Sequence, residues 1–386
     1  MAPRRSSLGA GAWGGTLPQN HEETCVLTSG DDYPIHQTPE PIAFAGGDRN
    51  FYDRYFFNGY SADGSIFFAA ALGVYPQLDV IDAAFCLVID GKQHNIRASR
   101  RLNSERMDLR VGPIEVRVIE PLRKLGVRLS DNDSGIRADL VFDARHRPIE
   151  EPRFTRRNGP RLFMDYTRMT QNGAWNGHLS IEGEAINLAG ASGTRDRSWG
   201  IRPVGAPDSQ PGPSVFQFFW LWAPFNFEDR AVFFHTNDDE KGRVWNRRAV
   251  IDTFGQSATE YEHAKTALKF RSGTRRLISA DVSFAGVDGP SMRIVPTGAN
   301  FYMSGLGYMH PVWGHGRDHG ELEVACDVID TTSIDDNAPG QLHIQALARA
   351  TLQDRGQTLQ GFGVLEQLLV GPHAPSGFTS MLDPAP

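Results

Sequence analysis

The sequence has few cysteines, no long apolar run and no excess of positive charge, and each shortage excludes a class of protein. Its longest apolar runs, such as residues 66–75, fall short of the roughly 20 residues that a membrane-spanning helix needs. The three cysteines form no CxxC pair, which argues against a disulfide framework or a zinc ribbon. The net charge of −7 gives no overall positive field to hold nucleic acid or an anionic membrane. No secretory signal follows Arg4 and Arg5, so we predict a cytoplasmic protein without an integral membrane segment or a nucleic-acid partner.

Familiar catalytic motifs are absent as well. The sequence contains no GxSxG, no P-loop, no HExxH and no GxGxxG between a strand and a helix. It therefore gives no support for ordinary serine hydrolysis, phosphoryl transfer or nicotinamide chemistry.

What the sequence does contain is typical of β-structure. Its 40 glycines and 24 prolines separate short runs of alternating or continuous apolar residues. This pattern predicts an all-β chain. Asp90-Gly91 lies between two such runs and predicts a hairpin turn. Helical periodicity is confined to residues 256–267, where we expect one short helix.

The chain also has a weak internal repeat. Residues 52–75 and residues 216–235 each read as an aromatic strand, an acidic turn and a second aromatic strand. A stretch rich in Pro, Gly and Ser lies between these units and is typical of a linker. We therefore predict four segments, which are an N-terminal arm (1–44), a first β domain (45–203), a second β domain (204–372) and a C-terminal tail (373–386).

Asp196 is the first candidate for chemistry. It lies between Arg195 and Arg197 and close to Trp199. Neighbouring positive charge favours the carboxylate, and the segment would then be a structural Asp–Arg pair that closes a turn. An apolar pocket beside Trp199 would instead raise the pKa of Asp196 and make it a general acid.

A histidine-rich segment at residues 308–320 is the second candidate. It contains His310, His315 and His319, but on a strand His310 and His315 would face opposite sides. We expect either a polar cavity wall with a neutral, proton-shuttling histidine or a structural loop. A zinc or iron site is the less favoured alternative, and no metal is predicted.

The third candidate is a set of aromatic residues. Phe218, Trp220 and Trp222 would line one face of a strand, either as ordinary core or as the wall of a barrel or sandwich cavity for an apolar ligand. Glu366 lies inside an apolar run and either faces this cavity or faces solvent. Polar residues among the aromatic runs favour a pocket, and they are Asn58, Gln217 and His235.

Three segments in order resemble the AttH-like and carotenoid 1,2-hydratase (hydroxyneurosporene synthase) superfamily. Residues 53–60, DRYFFNGY, resemble its acidic-aromatic-aromatic-Tyr-Phe-x-Gly opening. Residues 196–200, DRSWG, resemble its Asp-His-x-Trp-Gly signature at the end of the first domain. Residues 216–234 resemble the aromatic strand pair that opens its second domain.

This resemblance implies two tandem lipocalin-like antiparallel β-barrel or sandwich domains without a cofactor. Members of the superfamily hydrate alkenes, or cyclise and isomerise terpenoids and polyketides, and Asp196 corresponds to the aspartate that is thought to protonate the alkene. Arg197 replaces the usual histidine, and Arg54-Tyr55 replaces the usual paired tryptophans, so the substrate does not transfer.

We therefore predict a cofactor-independent hydratase, dehydratase or isomerase for a hydrophobic terpenoid-like or aromatic small molecule. Asp196 is the predicted acid, and His310, Tyr308 or Glu366 would position water or take the second proton. The predicted substrate contacts are Tyr55, Asn58, Trp199, Phe218, Trp220, Trp222, His235 and Trp313. The alternatives are a non-catalytic carrier, which an exposed Asp196 paired to Arg197 would favour, and a cyclase that works mainly by shape. The oligomeric state is left open, a homo-oligomer included.

Overall fold

The computed structural model describes residues 27–44, 46–61, 63–207, 216–286 and 288–386. Within these ranges the chain forms β-strands and short 3-10 helices and no α-helix. No helix in this part of the chain is long and apolar enough to span a bilayer. The first 26 residues of the predicted N-terminal arm and the end of the predicted linker lie outside the described ranges.

The first half of the chain contains thirteen strands. They are β1 (Phe51–Tyr60), β2 (Phe67–Tyr75), β3 (Val80–Ile89), β4 (Lys92–Arg101), β5 (Arg110–Val111), β6 (Ile114–Glu120), β7 (Lys124–Leu129), β8 (Ile136–Ala144), β9 (Ile149–Glu150), β10 (Phe154–Asn158), β11 (Arg161–Ile181), β12 (Glu184–Ile186) and β13 (Ser192–Ile201). Asp90 and Gly91 form the predicted turn between β3 and β4, with φ angles of 49° and 72°. A glycine suits the second position because its backbone enters the left-handed region without a steric penalty.

The second half contributes ten strands. They are β14 (Phe218–Asn226), β15 (Arg230–Asp238), β16 (Val244–Thr253), β17 (Thr259–Glu260), β18 (Lys265–Phe270), β19 (Leu277–Ser283), β20 (Ser291–Tyr302), β21 (Leu322–Asp330), β22 (Ile344–Asp354) and β23 (Gln357–Val370). The short 3-10 helices are Ser29–Asp32, Ile42–Phe44, Pro76–Leu78, Met303–Leu306, Pro339–Gln341 and Ala374–Ser376. The helix expected over residues 256–267 is wrong, because β17 and the start of β18 occupy that stretch and pair with β16 and β19.

These strands form two antiparallel sheets, and the predicted all-β fold with two tandem units is confirmed. The first sheet has 14 strands in the order β21-β4-β3-β2-β1-β13-β11-β8-β7-β6-β5, with β9, β10 and β12 paired to β11. The second has nine in the order β17-β16-β15-β14-β23-β22-β20-β19-β18. Together they make a nearly closed barrel and a half-barrel.

One strand leaves its own half of the chain. β21 comes from the second half but pairs along its whole length with β4, at the edge of the first sheet. A Cβ added at Gly112, just after β5, would lie only 3.0 Å from the Val324 side chain of β21. The two ends of the first sheet therefore approach each other. The domain boundary at residues 203 and 204 stays a prediction.

Strand pleating divides the apolar residues into three main cores. The concave face of each sheet covers a core of its own, with Phe57, Phe85 and Trp175 in the first and Phe219, Leu221 and Phe234 in the second. The opposite faces of the two sheets pack on each other and form the third core, which we call the interface core. Its members include Tyr52, Phe56, Trp220, Trp222, Phe233, Phe301 and Leu347. Apolar side chains fill both concave faces. The buried polar residues that form the candidate site lie in and around the interface core.

Candidate active site

Asp196 lies in β13, between β1 and β11, on the face that meets the second sheet. Its direct strand partners are Phe56 and Thr170, and side chains at paired positions share a face. Arg195 and Arg197 are one position away and point to the other face. Arg197 forms an ion pair with Asp53 there, so the carboxyl of Asp196 is not part of a local Asp–Arg pair.

Burial raises the pKa of Asp196 to about 7. Arg168 opposes this shift, while the negative charges of Glu151 and Glu366 add to it. Among the described residues, none forms a hydrogen bond to the Asp196 carboxyl. Asp196 is thus a carboxylic acid that is protonated close to neutral pH and has its donor free.

Glu151 lies at the centre of a buried ion cluster beside Asp196. Arg168 binds it through two parallel hydrogen bonds, Nε to Oε1 at 2.9 Å and an Nη2 to Oε2 at 2.6 Å. Thr170 Oγ1 donates to the same carboxylate at 2.6 Å and accepts from Trp222 Nε1 at 3.2 Å. Burial alone would raise the pKa of Glu151, but these contacts outweigh it and lower the pKa. Glu151 is therefore a fixed negative charge.

His235 closes the other side of this cluster. Its Nδ1 lies 3.2 Å from Glu151 Oε2, and its Nε2 lies 2.8 Å from Asn246 Oδ1. Burial lowers the pKa of His235 to about 4, so the imidazole is neutral at physiological pH. The ring is fully buried next to Glu151, but its Nδ1 forms no hydrogen bond, and its burial separates it from solvent protons.

Glu366 forms a second carboxylate cluster from the second sheet. It accepts hydrogen bonds from Trp220 Nε1 at 2.9 Å and from Gln345 Nε2 at 2.7 Å, and His343 Nε2 lies 2.8 Å away. Gln345 Oε1 in turn accepts from Asn58 Nδ2 of the first sheet at 2.9 Å. Burial acts to raise the pKa of Glu366, but the contact with His343 and the other hydrogen bonds lower it overall. Glu366 therefore faces the interface and not solvent, the two positions that the sequence analysis left open.

Trp220 connects the two clusters. Its indole donates to Glu366, while its ring lies 4.5 Å from the guanidinium of Arg168. The same guanidinium lies 5.8 Å from the ring of Trp222 and 5.1 Å from that of Phe154. Cation–π contacts of this kind hold Arg168 rigidly between Glu151 and Asp196. The site is therefore preorganised by aromatic rings as well as by ion pairs.

Tyr308 marks the far end of the same interface. Its ring packs edge-on against His315 at 4.4 Å and His343 at 4.8 Å, measured between ring centroids. Arg54 lies over the Tyr308 ring at 4.9 Å and Arg202 at 6.0 Å. Tyr308 is thus connected through His343 to Glu366.

The structure brings together most, but not all, of the side chains that the sequence singled out. The predicted residues that line the interface are Asp196, Glu366, Tyr308, Asn58, Trp220, Trp222 and His235. Phe218 is half-buried at its edge. Trp313 is half-buried, stacks on His319 at 4.0 Å and lines a small cavity beside Arg54.

Three predicted residues lie elsewhere. Tyr55 and Trp199 occupy odd positions of β1 and β13 and therefore point to the face away from Asp196. Tyr55 stacks under Arg197, and Trp199 is 40% exposed. His310 lies in the loop after Met303–Leu306, where its Nδ1 accepts from the backbone of Trp313 at 2.8 Å. The structure does not bring these three side chains to Asp196.

The histidine-rich segment is a loop and not a strand. His310, His315 and His319 contact a backbone amide, Tyr308 and Trp313 respectively. Within the described ranges, no group of three His, Cys, Asp or Glu side chains is arranged to hold a metal ion.

Several residues of the site were not predicted. They are Glu151, Arg168, Arg54, Arg202, His343 and Gln345. Arg168 and Thr170 are two positions apart on β11 and therefore share one face of that strand. Polar residues on one face of a long strand were the sequence signal that could have indicated this part of the site. Glu151 precedes Pro152 in an irregular stretch and carries no such signal.

An open groove of about 600 Å³, a volume within the usual range for ligand sites, lies on the surface next to the interface core. Its lining includes Ile149 and Val250, two members of the interface core. Ile149 pairs with Thr170, the strand neighbour of Asp196. The rim is charged, with Arg248 and Glu260 in an ion pair. The groove therefore borders the interface core, and Asp196, Glu151 and Glu366 are not among the residues that line it.

Comparison with protein families assigns the chain. The model of the Family of unknown function (DUF8625) matches residues 27–379. The chain belongs to this family. Among the curated proteins, nothing matches it.

Solved structures similar to this DUF8625 chain have low sequence identity to it. One is a protein provisionally called AttH from Nitrosomonas europaea, with 13% identity, a TM-score of 0.49, and coverage of 87% of this chain and 98% of that one. Another is kievitone hydratase from Nectria haematococca, with 12% identity, a TM-score of 0.46, and coverage of 82% and 88%. A third is CghA, with 10% identity, a TM-score of 0.47, and coverage of 83% and 88%.

Proposed function

We propose that this DUF8625 protein is a cofactor-independent hydratase, dehydratase or cyclase that acts on a hydrophobic small molecule, with Asp196 as the general acid. The observation behind the proposal is the pKa of Asp196, which burial raises to about 7, together with the absence of a hydrogen bond to its carboxyl among the described residues. A structural carboxylate would be expected to resemble Glu151 or Glu366, each of which has several donors.

In the hydration direction, the Asp196 carboxyl gives its proton to one carbon of an alkene. The π electrons form the new C–H bond, and the other carbon becomes a carbocation. Water adds to that carbon through a new C–O bond and then loses a proton, which returns to the Asp196 carboxylate. Dehydration is the reverse. In ring closure a second alkene attacks the carbocation in place of water and forms a C–C bond, and the new carbocation then loses a proton from an adjacent carbon to the Asp196 carboxylate. Arg168 and Arg54 favour the transient Asp196 carboxylate because both lower its pKa.

The surroundings suit a cationic intermediate. Phe56 and Trp222, whose ring centroids are 6.3 Å apart, lie beside Asp196, and each aromatic face stabilises a cation by about 0.5–2 kcal/mol. Glu151 and Glu366 supply fixed negative charge on either side. Because Glu366 already accepts several hydrogen bonds and has a lowered pKa, we assign it an electrostatic role in place of the predicted transfer of the second proton.

The test compares wild type, Asp196→Asn and Asp53→Asn. Asp53 is the matched control, because it lies on the other face and is paired with Arg197. Each protein is incubated in deuterated water with terpenoid alcohols, alkenes and phenylpropanoids and analysed by mass spectrometry. We expect turnover or deuterium incorporation that falls about 10²- to 10⁴-fold in Asp196→Asn and is retained in Asp53→Asn.

The other outcomes discriminate between the alternatives. Retention of a ligand without turnover by all three proteins would replace the proposal with a carrier. Equal turnover by wild type and Asp196→Asn would refute Asp196 as the acid and leave catalysis by cavity shape.

A further inference from the structure

Arg54 is a buried cation, and N–H donors at the edge of its guanidinium group have no hydrogen-bond partner in the described structure. Its side chain is 2% exposed, and its Nε and one Nη form no hydrogen bond in the structure. No Asp or Glu carboxylate in the described ranges lies within 4 Å of it. The Tyr308 ring stacks against its flat face at 4.9 Å, which leaves the in-plane N–H donors unused. A buried charged donor in this state is costly to the fold.

Arg202 is a second arginine near the same ring, with buried N–H donors of its own. Its guanidinium lies 4.5 Å from the Tyr52 ring and 6.0 Å from the Tyr308 ring. Its Nε and an Nη are buried without a hydrogen-bond partner. His315, also packed on Tyr308, has an unpartnered Nε2. Three groups that can donate hydrogen bonds thus surround one tyrosine.

We propose that Arg54 and Arg202 form a subsite for an anionic oxygen group of the substrate, such as a carboxylate or an enolate. Planar guanidinium groups match the two oxygens of such a group, and charge-assisted hydrogen bonds would satisfy the free donors.

The subsite is next to the proposed acid. Arg54 is near enough to lower the pKa of Asp196. The anionic group would therefore anchor the substrate so that its reacting carbon lies at Asp196. That the bound anion belongs to a substrate rests on the proposed function. That the two arginines bind an anion does not.

The alternative partner inside the protein is Asp82. Its Oδ2 accepts from the backbone of Gly316 at 2.7 Å, and the described contacts include no hydrogen bond or ion pair between Asp82 and Arg54. The two groups still interact electrostatically, because burial raises the pKa of Asp82 and Arg54 opposes that rise. The cavity between Arg54 and Asp82 is about 10 Å³, room for about one water molecule. Trp313 and His319 of the histidine-rich loop line it, so a carboxylate would have to displace this loop.

The experiment uses matched acids and alcohols with the same carbon skeleton. The pairs are farnesoate and farnesol, cinnamate and cinnamyl alcohol, and 1-naphthoate and 1-naphthalenemethanol. Binding is measured by calorimetry and by tryptophan fluorescence. We expect wild type to prefer the acid in at least one pair by about 10-fold or more. Arg54→Gln and Arg202→Gln should each lower the binding affinity for the acid by about 10- to 100-fold and leave the affinity for the alcohol unchanged.

Three further variants separate the possible failures. Arg195→Gln removes a buried arginine from the opposite face and should keep the preference for the acid. Asp196→Asn should also keep it, whether or not the proposed catalysis is correct. Arg54→Lys retains the charge but not the planar fork and should bind the acid with intermediate affinity, which covers the case that Arg54→Gln does not fold.

Failure of the proposal has a clear signature. The proposal would be overturned if wild type binds no acid, or binds no acid more tightly than its matched alcohol. It would also be overturned if Arg54→Gln and Arg202→Gln lower the affinities for the acid and the alcohol equally.

Discussion

Substituting Asp196 should change how the stability of the protein depends on pH. The ordinary pKa of 3.8 and the folded-state value of about 7 make the ionised carboxylate about 4 kcal/mol less favourable in the folded chain than in the unfolded one. Below about pH 4 the carboxyl is protonated in both states and contributes no loss. Between these two pKa values only the folded chain keeps the proton, so stability falls as pH rises. The full loss applies above about pH 7.

Asp196→Asn removes this dependence, because the amide resembles the protonated acid and does not ionise. We expect the free energy of unfolding of Asp196→Asn, relative to wild type, to increase by up to about 4 kcal/mol from about pH 4 to about pH 8. Urea titrations of both proteins across this range measure the difference, and contributions from titrating groups that do not interact with Asp196 cancel. Asp53→Asn, whose carboxylate is paired on the opposite face, should lack such an increase.

A difference between Asp196→Asn and wild type that stays constant with pH would refute the reasoning. It would mean that Asp196 is ionised in the folded chain at neutral pH. The proposed general acid would then lack its proton, so the same measurement also bears on the catalytic proposal.

Three other substitutions have expected outcomes. Arg168→Met should destabilise the fold by about 3–5 kcal/mol in urea titrations, because it leaves the Glu151 carboxylate buried and unpaired; an unchanged midpoint would contradict the ion cluster. Glu366→Gln removes a negative charge that raises the pKa of Asp196, so the alkaline limb of the rate profile should move to lower pH; a move to higher pH would be inconsistent with that coupling. Gly91→Ala should lower the free energy of unfolding by about 1–2 kcal/mol, because the residue has a φ of 72°; a neutral effect would show that the hairpin relaxes.

The sequence was sufficient for the fold class because turn residues and strand alternation are local signals. The Asp90-Gly91 turn and the shared face of Trp220 and Trp222 follow from spacing alone. Alternation also contains information that the site prediction did not use. Asp196 and Trp199 are separated by an odd number of residues, so a continuous strand places them on opposite faces.

The location of the site could not be predicted in this way. Glu366 comes near Asp196 only because the two sheets pack back to back, and no spacing in the chain encodes that contact. Glu151 is held within the first sheet, where its backbone N–H donates to Arg168 on β11. Apolar side chains fill the concave face of each sheet. The polar cluster therefore lies at the interface between the sheets and not in the barrel cavity that the sequence analysis considered. Arg54 was noted only as a departure from a family pattern, and its unpaired donors become visible once Tyr308 is placed against it.

The pairing of β21 with β4 has a consequence for how the protein can be divided. A gene cut at residue 203 would remove an edge strand from the product of its first part, and would give the second part a strand with nothing to pair with. Neither fragment should be a stable module when expressed alone, whereas co-expression should restore a complex in which one fragment complements the other. The two halves can therefore be exchanged with another protein only as a unit.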